Sequence, residues 1–193
     1  MFNWINFMSY AIATAITPGP NNITSLSLSS RMGFSKSYPF NFGVLVGFFS
    51  VIVICTVFCD TLSSFLPVIK LPMLILGALY MLWLAWKTFR SSDVEEKKNS
   101  KGGFWSGVLL QFVNVKGYLY AIVSMEAYIL PYYAGKWDKL LLFAFMLACM
   151  GFVSTCLWGI FGSLFKMLFS KYSKITNTIM ALLLVYCAVS LFF

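Results

Sequence analysis

The chain has 193 residues, of which 60% are hydrophobic, 19% aromatic and only 10% charged, with a net charge of +8. Soluble globular domains carry about 25% charged residues, so the polar shell that a water-soluble domain of this length requires is missing. With no histidine at all, imidazole general bases, histidine-ligated metals and histidine proton relays are excluded. No cofactor and no metal site is expected, and the basic charge is not interleaved with stacking aromatics as nucleic-acid binding would require.

The charges that exist separate long apolar windows. Residues 1–30, 37–59, 71–86, 140–165 and 175–193 are uncharged, and 102–135 is interrupted only by Lys116 and Glu126. Each window is near the roughly 17–25 residues needed to cross a bilayer core, with Lys87 placed to snorkel from the third. The expectation is an all-α integral membrane protein of six transmembrane helices, with the lipid bilayer as its solvent. Self-association into a homo-oligomer stays open.

Helix 1 has no Lys or Arg before residue 31, so it lacks the basic region of a cleavable signal peptide and is expected to be retained. It carries the run Thr17-Pro18-Gly19-Pro20-Asn21-Asn22. Both prolines lack an N–H, and their rings crowd the carbonyls of Thr14 and Ile16, so the helix must kink or unwind. If a half-helix restarts at Pro20 with Gly19 near its cap, the N–H groups of Asn21, Asn22 and Ile23 face the break. That end suits the carboxylate of an amino acid. The freed carbonyls of Thr14 and Ile16 suit its ammonium, and Asn21 and Asn22 can hold either end. The structural alternative is a proline kink resatisfied by neighbouring helices.

Helix 2 ends near Asp60, and helix 3 runs to Arg90. The stretch Ser91 to Lys101 reads SSDVEEKKNSK and is a solvated linker, dividing a first three-helix unit at 1–90 from a second at 102–193. An odd number of spans per unit inverts the second relative to the first, the arrangement of inverted-repeat transporters. Helix 4 matches helix 1 in carrying an interruption, Asn114-Val115-Lys116. At about 1.5 Å per residue both interruptions lie about 20–25 Å along their helices, near mid-membrane. A lysine at that depth costs about 2.5–3.5 kcal/mol to insert, so Lys116 should face a partner or a wet cavity. There it could pair with a substrate carboxylate or change protonation state during a cycle; the alternative is snorkelling to the interface. Gln111 and Asn114 flank it at helical spacing, either as site residues or as polar helix-packing contacts. Asp60 and Glu126 are the only carboxylates near membrane depth, serving as proton relays or simply sitting at the water interface.

Other patterns are structural. Gly43 and Gly47, Gly103 and Gly107, and Gly151, Thr155 and Gly159 are small residues four apart, suited to close helix packing. Trp4, Trp105, Tyr132, Tyr133 and Trp137 fall at span ends as interfacial anchors. The five cysteines, at 55, 59, 149, 156 and 187, lie in apolar windows without a CxxC pair and are read as small buried hydrophobes. Ten Lys and Arg flank one side (Arg31, Lys36, Lys87, Arg90, Lys97, Lys98, Lys101, Lys166, Lys171, Lys174) against Lys70, Lys136 and Lys139 on the other. The richer side is cytoplasmic by the positive-inside rule, which puts both termini outside.

The TPGPN run in a first helix followed by a Gly-rich second helix resembles the LysE-type amino-acid exporter family, and Leu76 to Arg90 (LGALYMLWLAWKTFR) is similar to that family's third helix. The helix 4 motif of much of the family is Asn-Pro-Lys, whereas Val115 stands here in the proline's place. Gln111 to Lys116 (QFVNVK) and Ala181 to Val189 (ALLLVYCAV) look like the branch that exports cysteine and O-acetylserine. The resemblance implies a small amino-acid substrate, a bacterial inner-membrane location, outward transport and coupling to the proton gradient. A rival class, a transmembrane thiol oxidoreductase, would need paired cysteines in the two halves.

Overall fold

A computed structural model describes residues 2–58, a discontinuous set of helical residues between 72 and 90, residues 103–164 and residues 173–190. Asp60, Cys59 and the 91–101 linker lie outside the described residues. Among the described residues every regular element is helical. In chain order they are α1 (Trp4–Ile16), α2 (Pro20–Met32), α3 (Phe34–Val57), α4 (Phe104–Val113) and α5 (Val115–Val123). A π-helical turn (Ser124–Ile129), the short α6 (Leu130–Tyr133), the long α7 (Trp137–Leu164) and α8 (Ser173–Ser190) follow.

Two of these, α3 with 24 residues and α7 with 28, are each long and apolar enough to cross a membrane alone. The helix 4 window is not one straight rod: Phe104–Val113 and Val115–Tyr133 meet at a bend of 67°. The first window is likewise divided, because α1 and α2 have 13 residues each and are separated by Thr17, Pro18 and Gly19. Neither piece alone reaches the length of a span. The interruptions expected in helices 1 and 4 are therefore real breaks in the helical backbone. Gly33, at φ 88°, forms the turn from α2 into α3, a conformation that a side chain would strain.

The packing follows from side-chain size. α3 lies against both α4 and α7, and α2 lies against α7. A methyl group at Gly43 would overlap the carbonyl of Phe104, and one at Gly107 would overlap the carbonyl of Phe40, so α3 and α4 touch backbone to backbone. Gly162 meets the Leu26 carbonyl in the same way where α7 crosses α2. Close approach replaces the hydrophobic effect as the source of attraction, since lipid tails are as apolar as the helix surfaces.

α2 is the polar member. Its buried residues include Ser25, Ser27, Ser29 and Ser30, and bilayer lipid could not satisfy them. The Ser25 hydroxyl lies 2.8 Å from Asn41 Oδ1 and 2.9 Å from the Thr155 carbonyl, and Ser29 and Ser37 share a 2.5 Å contact. Protein surrounds this helix for that reason. Its apolar contact, Ile23, joins Ala78, Met81 and Ala85 to Ala181, Leu184, Cys187 and Ala188 of α8. A larger apolar cluster links Phe7 of α1, Val51 and Ile52 of α3, Met125 and Ile129, and Leu147 of α7.

Candidate functional site

The site is built where the two breaks meet. On the first, the two prolines cannot donate to the carbonyls of Thr14 and Ile16, and the helix end leaves those of Ala15 and Thr17 open as well. All four are taken by the protein itself. The Thr17 hydroxyl donates to the Thr14 carbonyl at 2.8 Å, and the Trp158 indole N–H to that of Ile16 at 3.1 Å. Ala15 receives the Asn22 amide at 3.0 Å and the Ser154 hydroxyl at 2.8 Å. Thr17 receives the Asn22 amide at 3.0 Å and the Lys116 ammonium at 2.9 Å. The expectation that the Thr14 and Ile16 carbonyls stand open for a substrate ammonium is therefore corrected: Thr17 is the carbonyl that faces a cation.

On the other side of the break α2 starts at Pro20 with Gly19 as an extended cap, and no side chain among the described residues caps it. The Ile23 N–H bonds the Gly19 carbonyl at 3.0 Å, which corrects the expectation that it is open. The N–H groups of Asn21 and Asn22 find no acceptor among the described residues. They keep the partial positive charge of a helix N-terminus. The side chain of Asn22 is structural, bridging Ala15, Thr17 and, through its Oδ1 at 3.3 Å, the Thr155 hydroxyl.

The second break needs no proline. Asn114 ends α4 and caps α5, its side chain accepting the Gly117 N–H at 3.3 Å while its own N–H bonds the Gln111 carbonyl at 3.3 Å. Asparagine is among the strongest N-caps, so a new helix can begin at Val115 where the continuing one would have run on. The two breaks are then tied together. Asn21 and Gln111 exchange amide hydrogen bonds of 2.9 and 3.0 Å, and Asn114 Nδ2 donates to Asn21 Oδ1 at 3.3 Å.

Lys116 completes the junction. Its ammonium donates to the Thr17 carbonyl and, at 2.7 Å, to the Thr17 hydroxyl, crossing from α5 to the negative end of α1. Gly19 makes room for it: a Cβ there would stand 3.0 Å from Lys116 Cδ and 3.2 Å from Nζ. Between these groups is a cavity of about 50 Å³, bounded by Asn21, Asn22, Asn114, Lys116, Phe48 and Tyr120 among others. Ligand pockets usually measure about 300–1,000 Å³, so the lysine leaves little free space at the junction.

Of the residues singled out in the sequence, Thr17, Gly19, Pro20, Asn21, Asn22, Gln111, Asn114 and Lys116 come together here, while Pro18 is an exposed part of the break. Glu126 is exposed in the π-helical turn and makes no part of the junction. Asp60 lies outside the described residues. Sequence reasoning missed the contribution of two further helices, through Ser154, Thr155 and Trp158 of α7 and Phe48 of α3, and that of Tyr120 on α5 itself. The Ser154-Thr155 pair inside an apolar helix was the available signal, and Thr155 was read as packing only.

The LysE type translocator family model matches residues 12–193, nearly the whole chain and both breaks. The chain belongs to that family. Its relatives include a cysteine/O-acetylserine efflux protein of Salmonella paratyphi A, 40% identical over 189 residues, which cover 97% of this chain and 96% of that protein. Another cysteine/O-acetylserine efflux protein, from Escherichia coli K12, is 37% identical over the same lengths. No solved structure matches the chain. With its apolar helices and this kinship, the LysE-family chain is a multi-pass membrane protein, and the kinship indicates a transporter rather than an enzyme. None of the four described cysteines is in a disulfide.

Proposed function

We propose that this protein exports small amino acids, cysteine and O-acetylserine first, from the bacterial cytoplasm across the inner membrane. The observation that carries the reading is the joining of two helix breaks, one from each half of the chain, by the Asn21–Gln111–Asn114 amides and the Lys116–Thr17 bridge. In this reading the six spans form two inverted three-helix repeats, 1–90 and 102–193, joined by the 91–101 linker, with both termini outside.

The geometry suggests how an amino acid would be held. Lys116 occupies the cation position on Thr17. An entering substrate brings its own ammonium to the Thr17 carbonyl and hydroxyl, and its carboxylate draws Lys116 away. The carboxylate then lies between the lysine and the open N–H groups of Asn21 and Asn22. Each of these is a charge-assisted hydrogen bond in a low-dielectric site, the strong kind. Separating Lys116 from Thr17 loosens the contact between the halves, which can then open toward the other side. The proton gradient supplies the energy in this scheme, with Lys116 as the group at the junction able to exchange a proton; Asp60 and Glu126, toward the outer ends of helices 2 and 4, remain candidate relays.

Efflux of preloaded labelled cysteine and O-acetylserine tests it, comparing wild type, Asn21→Ala, Lys116→Ala and a cysteine-free variant at matched membrane levels. The expected result is fast efflux in the wild type and the cysteine-free variant and loss in both site variants. Efflux that survives both site substitutions would move the site elsewhere. Loss in the cysteine-free variant alone would favour thiol redox chemistry instead.

A further inference from the structure

Resting on the exporter reading above, we infer that Tyr120 is the specificity-determining residue for the substrate's side chain, its hydroxyl serving as hydrogen-bond partner to an ester or hydroxyl oxygen. The cavity has two unlike halves. One carries charge and open N–H groups at Lys116, Asn21 and Asn22, which suit the two ionic groups common to all amino acids. The other is aromatic. Phe48 is fixed there between two glycines: a Cβ at Gly151 would stand 3.0 Å from its ring, and one at Gly117 would stand 3.3 Å from it. Tyr120 packs beside that ring with centroids 5.7 Å apart and stacks on Tyr10 at 6.1 Å.

Tyr120 lines the cavity and is only 4% exposed, yet its hydroxyl is buried without a hydrogen-bond partner among the described residues. A buried hydroxyl left unpaired costs free energy, and buried orphans call for an explanation such as an absent ligand. A Phe would fill the same space without that cost. The hydroxyl is therefore explained if a substrate atom completes it. With the ionic groups held at the helix breaks, the substrate's side chain is what remains to face the aromatic half. An ester carbonyl is a good acceptor for this O–H, whereas a thiol is weak both as donor and as acceptor. Tyr120 thus favours oxygen-bearing side chains over cysteine within one site.

The test is Tyr120→Phe, with Ser124→Ala as the comparison. Ser124 is a second buried hydroxyl without a partner among the described residues, one helical turn along, and it is not part of the cavity lining. Concentration-dependent uptake of labelled cysteine and O-acetylserine into inside-out vesicles gives the apparent affinity for each. Tyr120→Phe is expected to weaken O-acetylserine about tenfold more than cysteine, the size of one hydrogen bond. Ser124→Ala is expected to leave the ratio of the two unchanged. Equal effects on both substrates in Tyr120→Phe, or an equal shift of the ratio in Ser124→Ala, would overturn the assignment while the exporter reading stands. A wild type that moves neither amino acid would overturn both.

Discussion

At the level of single residues, the junction depends on few atoms with unambiguous partners. Lys116 packs directly over Gly19 on its way to Thr17, so Gly19→Ala makes the lysine stem shift by a few tenths of an ångström. The expected outcome is a marked fall in efflux at normal membrane levels, since the substitution displaces no helix backbone. Unchanged transport in Gly19→Ala would show that the lysine's position is not critical. The Asn21–Gln111 amide pair makes a second prediction. A double-mutant cycle with Asn21→Ala and Gln111→Ala, read by thermal unfolding in detergent, should give a coupling of roughly 0.6–1.7 kcal/mol, the range for hydrogen bonds between membrane helices. A coupling near zero would mean that the pair is not formed in the folded protein. Lys116 and the two asparagines were legible in the sequence because a charge and paired amides inside an apolar window are costly and need a reason. Trp158 was not, because an indole in an apolar helix is an ordinary lipid-facing residue until the carbonyl that it caps is seen.

At the level of helices, the two breaks arise by different chemistry. The first is imposed by two prolines that remove N–H groups. The second is marked by a cap, Asn114, whose side-chain oxygen accepts the Gly117 N–H at 3.3 Å alongside Asn114's own carbonyl at 2.8 Å. Asn114→Ala removes that cap, worth about 1 kcal/mol, and the α4–α5 bend of 67° should relax toward a continuous helix. Distances between spin labels on α4 and α6 would lengthen accordingly, and Asn114→Asp, which retains a capping oxygen, would preserve the bend. The helix contacts behave differently. Gly107→Val places side-chain atoms where the Phe40 carbonyl already is, so α3 and α4 must part; a loss of about 1–3 kcal/mol or more is expected, seen as a lower melting temperature and reduced membrane abundance. The glycine spacing identified this contact correctly, because the need for close backbone approach is written in residue size alone.

At the level of the whole molecule, the polar α2 explains why the fold must enclose the break. Four buried serines and two asparagines on 13 residues would be poorly satisfied in lipid; α3 and α7 supply Asn41, Ser37, Thr155 and Ser154 to Ser25, Ser29 and Asn22, and Gln111 of α4 pairs with Asn21. The proposed topology makes its own prediction. In a cysteine-free background, a single cysteine at Asn3 should react with a membrane-impermeant thiol reagent added outside intact cells, and one at Asn99 should react only after the membrane is opened. The reverse pattern would invert the protein and, with it, the side to which the site first opens.

The amino-acid sequence alone determined the solvent of this protein, its helical class and the places where its helices fail, because these depend on composition, hydrophobic length and the missing N–H of proline. It also singled out the ionic and amide residues that the structure brings together at the two breaks. Only the tertiary structure decided which atoms stay available. The carbonyls of Thr14 and Ile16 are freed by the prolines beside them, yet Thr17 and Trp158 occupy them, and Trp158 lies 142 residues from Ile16. Whether a polar group is open depends on every neighbour within about 3 Å, and those neighbours come from helices whose order in space no local pattern encodes.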